Sequence, residues 1–568
     1  MRKILRVDMS SLNISQEEIN EDFKLLGGRG LADKILTTEI DPRVHPLSKD
    51  NKLIIAPGLF SGITIPSTSR LSVVSKSPLT GGIKESNVGG PVSQELGRLG
   101  FAAIIIEGRA SDSFYIVRIS KKGKIYLDPA KDIQGMGNNE TAQNLFRVYG
   151  KQINILSIGP AGEMLLPTAT VAATDQDGYP SRHAGRGGLG AVMGSKGIKA
   201  IVIEGKVKRE VKCLDKALLK ESIKDFSTMV VKINKMNKQY GTTSLVKFIN
   251  QSNGLPTKNF SRGTFEGVEQ ISGERITELI KERGGKTAHG CYSGCIIKCS
   301  HVFNDKNGNH VTSKLEYETV GMLGSNLEID DVDMIAEMDR LCGDIGIDTM
   351  ELGATMGVLM ESGYIPFGNA EEVIKLLEEI PKGTPLGRLV GSGCATVGKV
   401  FGCSRVPVVK GQALPSYDPR ALKGMGVTFA TSPMGADHTA GPVYPGMGKL
   451  DAKKPDGQVE FSKNIQSNCA ILDNFGLCLY TSPSPKTMEF IIKAVKALYG
   501  EVMSRDDLAD IGKQILGMEY EFDERAGLGS ETDELPFFFR QETLPEIDSS
   551  FDVSSEELRS IRKYFRNK

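Results

Sequence analysis

Twelve residues in the first quarter of the chain return further along it. The segment Gly97-Arg98-Leu99-Gly100-Phe101-Ala102-Ala103-Ile104-Ile105-Ile106-Glu107-Gly108 and the segment Gly194-Ser195-Lys196-Gly197-Ile198-Lys199-Ala200-Ile201-Val202-Ile203-Glu204-Gly205 are identical at seven of twelve positions. A unit written twice must be folded twice, so the early part of the chain is expected to contain an internal duplication. Short β-branched runs at 52–56, 70–74, 103–107, 114–119 and 200–204 make it a β-rich domain over residues 1–208. Beyond Cys213 the periodicity turns helical, as in 330–341 with an aspartate at the N-cap, 351–361, 371–379 and 488–498. Gly402-Cys403-Ser404-Arg405-Val406-Pro407 interrupts the helical segments, so two mainly helical domains are expected, 209–405 and 406–568. The fold class is therefore α+β. A second echo, Gly343-Asp344-Ile345-Gly346-Ile347-Asp348 against Asp473-Asn474-Phe475-Gly476-Leu477-Cys478, suggests two similar ligands related by pseudo-symmetry.

The chemistry concentrates in Gly290-Cys291-Tyr292-Ser293-Gly294-Cys295-Ile296-Ile297-Lys298-Cys299. Three thiols this close suit a soft metal or an iron–sulfur cluster, since one would be left over from any disulfide. An unbroken helix would string the sulfurs roughly 6 Å apart per turn, so the glycines predict a wrapping loop that enters a helix. The alternatives are a zinc site or three buried thiols. Of the remaining cysteines Cys478 stands apart as a fourth ligand, because Gly476 just before it lets backbone approach a ligand closely.

The 568 residues carry 70 basic and 70 acidic side chains, so the sequence has no electrostatic footprint for nucleic acid or a membrane surface. No apolar run reaches the length of a bilayer span, and the first residues lack the apolar core of a signal peptide, so a cytoplasmic location is expected. Nine cysteines in a reducing compartment do not make a disulfide scaffold.

Glycine loops precede both copies of the duplicated segment, Asn87-Val88-Gly89-Gly90 and Gly185-Arg186-Gly187-Gly188-Leu189-Gly190. The second fits G-x-G-x-x-G, but a loop precedes it where a nucleotide fingerprint needs a strand. Backbone amides flanked by Arg182, Arg186 and Lys196 would instead suit phosphate groups, with Arg70 and Asn87 offering the same chemistry in the first copy. Tight turns in a β-rich domain are the plainer alternative. Glu316-Tyr317-Glu318, read as extended, turns both carboxylates to one side, and either is a candidate general base. His438 in Gly435-Ala436-Asp437-His438-Thr439-Ala440-Gly441 is a candidate partner for a reacting oxygen.

Taken together these segments resemble the tungsten-dependent aldehyde:ferredoxin oxidoreductase family over essentially the whole chain. Gly27-Gly28-Arg29-Gly30-Leu31-Ala32, Lys76-Ser77-Pro78-Leu79-Thr80-Gly81, 184–196, Glu316-Tyr317-Glu318 and Gly476-Leu477-Cys478 stand in the family's order. The resemblance implies a β-rich first domain forming the base of a cofactor site that two helical domains close. It implies tungsten, or molybdenum, held by two pyranopterins beside a 4Fe-4S cluster, with magnesium bridging the pterin phosphates. Cys291, Cys295, Cys299 and Cys478 then fall on cluster-ligand positions. Arg70, Asn87, Gly89, Arg182, His183 and Gly185 fall on positions that hold the phosphates and the magnesium, His183 through its backbone. Asp348, Asp473 and Leu477 fall on pterin-contacting positions, and Asp437 is counted with them. Glu318 and His438 fall on the active-site glutamate and histidine.

The implied reaction is oxidation of an aldehyde to a carboxylic acid with water as the oxygen source, electrons passing to ferredoxin or a ferredoxin-like subunit. Rival readings are another low-potential reaction on the same fold, such as reduction of an acid or an aromatic thioester, and, from another class, a radical S-adenosylmethionine enzyme. A non-catalytic electron-transfer or zinc-stabilised binding protein is a third. Three departures from the family pattern stand out. The first two cysteines are one residue further apart. Gly343 replaces an aspartate at a pterin contact, which Asp344 could take over. Glu337-Met338-Asp339-Arg340 lacks the histidine of a subunit-bridging iron site, which makes an interface metal doubtful and leaves a homodimer open.

Overall fold

The computed structural model describes residues 2–567 except Asp112, Lys206 and residues 208–211, so the boundary expected at 208 lies outside the described residues. The duplication is complete at the level of strands. The first sheet contains β1 (Lys3–Asp8), β2 (Asn13–Glu18), β3 (Leu53–Pro57), β4 (Arg70–Lys76), β5 (Ile83–Gly89) and β6 (Phe101–Glu107), in the order β2-β1-β6-β3-β4-β5. The second contains β7 (Tyr115–Ile119), β8 (Ile125–Pro129), β9 (Ile153–Ser157), β10 (Val171–Ala173), β11 (Arg182–Ala184) and β12 (Ile198–Glu204), in the order β8-β7-β12-β9-β10-β11. Each strand of one sheet thus has its counterpart in the other. β1 and β6 pair in parallel, as do β7 and β12, and both pairs carry a register shift near the strand start; every other pairing is antiparallel.

The twelve-residue echo is the helix-to-strand joint of each copy. Helices Pro91–Leu99 and Leu189–Ser195 run into β6 and β12 through Gly100 and Gly197, both at positive φ, 81° and 77°. That left-handed turn favours glycine at each joint.

The sheets pack face to face over an apolar core in which Leu5, Val73 and Ile104 meet Val117, Leu156 and Ile201. Outside them lie helix Gly28–Glu39, packed through Leu31, Ile35 and Leu36, and helix Asn138–Tyr149, packed through Ala142 and Leu145. The resulting layers are helix, sheet, sheet, helix. β5 and β11, edge strands of the two sheets, lie side by side, and the Arg186 amide donates to Ser86 Oγ at 3.2 Å across them. The glycine loops that follow these strands therefore open on one cleft.

Helices roof that cleft. The expected helices appear as Val332–Ile345, Thr349–Glu361, Ala370–Lys382 and Pro485–Tyr499, the first capped by Asp331. The second echo proves to be a shared way of ending a helix. Helices Val332–Ile345 and Gln458–Phe475 both stop at a left-handed glycine, Gly346 and Gly476, and each glycine sits against a glycine of the β-rich part, Gly159 and Gly58. The Thr170 amide donates to the Gly346 carbonyl at 2.9 Å and the Arg70 amide to the Gly476 carbonyl at 3.1 Å, so each half of the sheet pair docks one helix end.

Residues on both sides of 405 share a single apolar core, from Leu352 and Leu377 to Phe429 and Phe539. The terminal helix, Ser555–Arg566, packs through Leu558, Ile561 and Phe565, which are buried. Among the described residues no helix is long and apolar enough to cross a membrane.

Two local expectations are corrected. The cysteine segment does not enter a helix: it links the strands β13 (Lys286–His289) and β14 (Ser300–Asn304), with a left-handed residue at Lys298, φ 57°, that no α-helix accommodates. Glu316 and Glu318 do not lie on one extended run, although both line the cleft. Glu316 is the extended residue before helix Tyr317–Leu323, and Glu318 lies in that helix's first turn, which swings the second carboxylate to another partner.

Candidate active site

All four singled-out cysteines line one interior cavity between the paired sheets and the helical part. Ser67 ties their segments together: its amide donates to the Gly294 carbonyl at 3.2 Å and its carbonyl accepts from the Cys478 amide at 3.0 Å. Gly89 lets the loop approach closely, since a Cβ on it would stand 3.2 Å from Cys291 Sγ. Among the described residues no three Cys, His, Asp or Glu side chains enclose a single point suited to one ion. The Cys295 thiol, aided by Arg182 and Arg70 and opposed by burial, holds Cys291 down at about 5. Cys295 is pushed up, first by Cys291 and then by burial, and Cys299 by burial and Cys478.

Two arginines repeat the pseudo-symmetry. Arg70 donates to Cys478 Sγ at 3.2 Å, and Arg186 donates to Asp348 Oδ2 at 3.1 Å, so each half presents a guanidinium to the last residue of one echo. Burial opposes the charge on Arg70, but Cys478 and Cys291 together raise its pKa on balance. Arg182 is buried and bonds Ser300 at 2.6 Å, Glu316 at 3.4 Å and the Ser313 carbonyl at 3.1 Å, while its Nε has no partner in the protein. The His183 ring meets Thr170 Oγ1 at 2.7 Å, and its buried Nε2 is also unpartnered. Burial, and then Lys314, hold that imidazole neutral. Asn87, Gly89, Gly185, Asp348, Asp437 and Asp473 line the same cavity.

Leu477 is the exception among the expected site residues. Its side chain is buried with Phe60 and Phe475 and does not line the cavity. Asp344 does not take over from Gly343 either, because its carboxylate accepts from the Asn139 amide at 2.8 Å on the outer side of the helix end. A Cβ at Gly343 would lie 3.6 Å from His183 Nε2.

At another wall of the cavity His438 Nε2 lies 3.0 Å from Glu318 Oε1, and the Tyr417 hydroxyl donates to the same oxygen at 3.0 Å. Burial acts to raise the Glu318 pKa, but His438 and, more weakly, Tyr417 outweigh it and lower it on balance. Burial likewise disfavours protonated His438, and Glu318 with Asp437 reverses that, so the pair is held as carboxylate and imidazolium. His438 Nδ1 is buried without a protein partner.

Three contributors escaped sequence reasoning. Lys84, fully buried on β5, donates to Asp437 Oδ2 at 2.6 Å and so fixes the turn that carries His438. Tyr417 had no motif around it. Arg29 had one, in the segment Gly27 to Ala32, yet its partners are remote: a bidentate bond to Glu519 at 2.7 and 2.8 Å and one to Asp473 at 3.2 Å. A buried arginine needs carboxylates that only the folded chain brings together.

Comparison with known proteins spans nearly the whole chain. The family model described as the N-terminal domain of aldehyde ferredoxin oxidoreductase matches residues 4–205, and that for its domains 2 and 3 matches residues 219–567. The tungsten-containing aldehyde ferredoxin oxidoreductases of Pyrococcus furiosus and Thermococcus kodakarensis are each 34% identical over 580 residues, covering 96% of this chain and 92% of theirs. A more distant relative is the WOR-like subunit of aliphatic sulfonate oxidoreductase from Pyrococcus furiosus, 25% identical, with coverages of 78% and 76%. In fold, the chain is similar to a solved active-site complex BamBC of benzoyl coenzyme A reductase with 1,5-dienoyl-CoA, with a TM-score of 0.81 at 20% identity, covering 100% of this chain and 97% of that one. A cavity built on a duplicated sheet pair, lined by four cysteines and a glutamate–histidine pair, thus stands in a chain that belongs to the aldehyde ferredoxin oxidoreductase family of oxidoreductases.

Proposed function

We propose that the chain oxidises an aldehyde to a carboxylic acid, with water supplying the oxygen and two electrons and two protons released. The observation that carries this reading is the buried Glu318–His438 pair facing a cavity whose other wall holds four cysteines. The resemblance and the tungsten-containing relatives point to tungsten, or molybdenum, on two pyranopterins with a 4Fe-4S cluster and a magnesium ion. When bound, these groups would supply a two-electron acceptor and a one-electron exit.

The residues present fit them. Four thiols lining one cavity suit a cluster whose ligands attach to separate irons, so Cys291, Cys295, Cys299 and Cys478 would hold it. Arg182 Nε, buried and unpartnered, together with Arg70 and the loops at Gly89 and Gly185, suits phosphate oxygens. Asn87, His183, Asp348, Asp437 and Asp473 would complete the pterin and magnesium contacts, while Leu477 could contribute only through its backbone. Placing Cys478 with the other three also gives a role to a residue that a radical S-adenosylmethionine enzyme would leave idle.

The chain's own acid–base work follows from its geometry. Glu318, held as carboxylate, takes the proton of water as its oxygen adds to the aldehyde carbon. His438, held as imidazolium with Nδ1–H free, donates to the aldehyde oxygen as negative charge grows there. Burial of both groups excludes bulk water from competing for either bond. Electrons then leave through the cysteine side to a ferredoxin-like acceptor.

The deciding experiment is elemental analysis of protein purified without oxygen. About one tungsten or molybdenum and about four irons per chain, with Glu318→Gln retaining the metals and losing turnover, is the expected result. Zinc alone would refute the reading, and full turnover by Glu318→Gln would remove the glutamate from it.

A further inference from the structure

Charge is balanced over the chain but not along it. Residues 226–265 contain no Asp or Glu and six Lys or Arg. Three of the six, Lys232, Lys235 and Lys238, follow at intervals of three where helix Lys216–Ile233 gives way to helix Lys235–Tyr240, and all three are exposed. They have no carboxylate partner among the described residues, whereas Lys247, the next along, pairs with Glu269 at 2.8 Å. Beside and between them stand three exposed apolar side chains, Val231 at 48%, Ile233 at 50% and Met236 at 55%. A cluster of lysines without carboxylate partners, set among exposed aliphatic groups, has the charge complementarity of a docking site for an acidic protein.

The patch adjoins the cysteine loop. Phe226 and Val230, on the helix that leads into it, are buried in the same apolar cluster as Tyr292, Cys295 and Ile297, with Cys299 and Cys478 packed against that cluster. At Gly241, just past the second helix, a Cβ would stand 3.0 Å from the Cys299 carbonyl. The loop itself reaches solvent at Ser293 and Lys298, between the cysteines, while Glu318 and His438 are buried at the other wall. An electron carrier that has to approach the cysteine side closely therefore meets this surface.

We propose that the face formed by Lys232, Lys235, Lys238 and Lys298 with Val231, Ile233 and Met236 is where a small acidic one-electron carrier protein docks. The lysines steer and orient the carrier, and the aliphatic side chains bury against it. This rests on the reading that electrons leave past the cysteine loop, and it adds the surface and the charge of the partner. No bond is made or broken at the surface; one electron passes per docking event.

The test is titration calorimetry of the metal-loaded chain with an acidic ferredoxin, at low and high salt. Alongside it, reduction of methyl viologen by acetaldehyde or benzaldehyde serves as a readout that needs no docking. The double charge reversal Lys235→Glu/Lys238→Glu is expected to weaken ferredoxin binding at least about tenfold at low salt while leaving viologen reduction unchanged. Raising the salt should erase most of the difference. A control reversal at the exposed Lys121 and Lys122, Lys121→Glu/Lys122→Glu, should bind ferredoxin as the parent does. Unaltered binding in the first variant, or equal loss in the control, overturns the proposal. Absence of both viologen reduction and bound metal in the parent would overturn the redox reading itself, and the docking proposal with it.

Discussion

Replacing Tyr417 with phenylalanine tests the acid–base reading without touching either proposed participant. The Tyr417 hydroxyl donates to Glu318 Oε1 at 3.0 Å, and both side chains are buried. A hydrogen bond to a charged group contributes about 1.5 to 3 kcal/mol. His438 bonds the same oxygen and remains in place, which argues for the lower end.

The bond favours the carboxylate, so its loss raises the pH at which the carboxylate forms; 1.5 kcal/mol corresponds to about one pH unit. Glu318 and His438 titrate as a pair, and the acid limb of activity reports the pair. Tyr417→Phe should therefore move the acid limb of kcat/KM upward by about one pH unit, while the plateau at higher pH, where the carboxylate is formed in both proteins, changes little. The assay is a pH profile with viologen as acceptor, alongside metal content to show that the site is loaded. An acid limb that stays in place with metals retained would refute the claim that ionised Glu318 is the base.

Other perturbations follow from buried charge and close packing. Lys84→Met should cost about 3 to 5 kcal/mol in denaturant unfolding by stranding Asp437, and the double variant Lys84→Met/Asp437→Asn should recover much of it; an additive loss would show that the pair is not coupled. Burial, opposed by the Ile83 amide, pushes the Asp523 carboxyl up to about 8 from its ordinary 3.8. A carboxyl raised in the folded state stabilises fully below its ordinary pKa, and that contribution is lost as pH climbs through about 8. Asp523→Asn, which keeps the acceptor for Ile83, should match the parent near pH 4 and surpass it in melting temperature at pH 9; parallel profiles would refute the buried-acid assignment. Gly58→Ala should destabilise by more than about 1 kcal/mol, because its Cβ would stand 2.1 Å from Gly476 Cα; a neutral result would break the link drawn between the helix end and the sheet.

The sequence determined whatever depends on local spacing or on repetition. A twelve-residue echo foretold a doubled sheet because the same helix, glycine joint and strand are written twice. Helix periods at 351–361 and 488–498 and the cap at Asp331 were legible because each is settled within a few residues. The tight run of cysteines, and the glycine before Cys478, marked residues that do line one cavity.

Only the tertiary structure decided what depends on neighbours far along the chain. The cysteine loop is held between two strands and by the clamp of Ser67 instead of entering a helix, and Glu318 takes a different partner from Glu316 because a helix begins between them. Lys84 meeting Asp437, Arg29 meeting Glu519 and Tyr417 meeting Glu318 are pairings across 353, 490 and 99 residues. Nothing local encodes such pairs: a buried charge or hydroxyl is tolerable only beside its partner, and the partner arrives only when the chain closes.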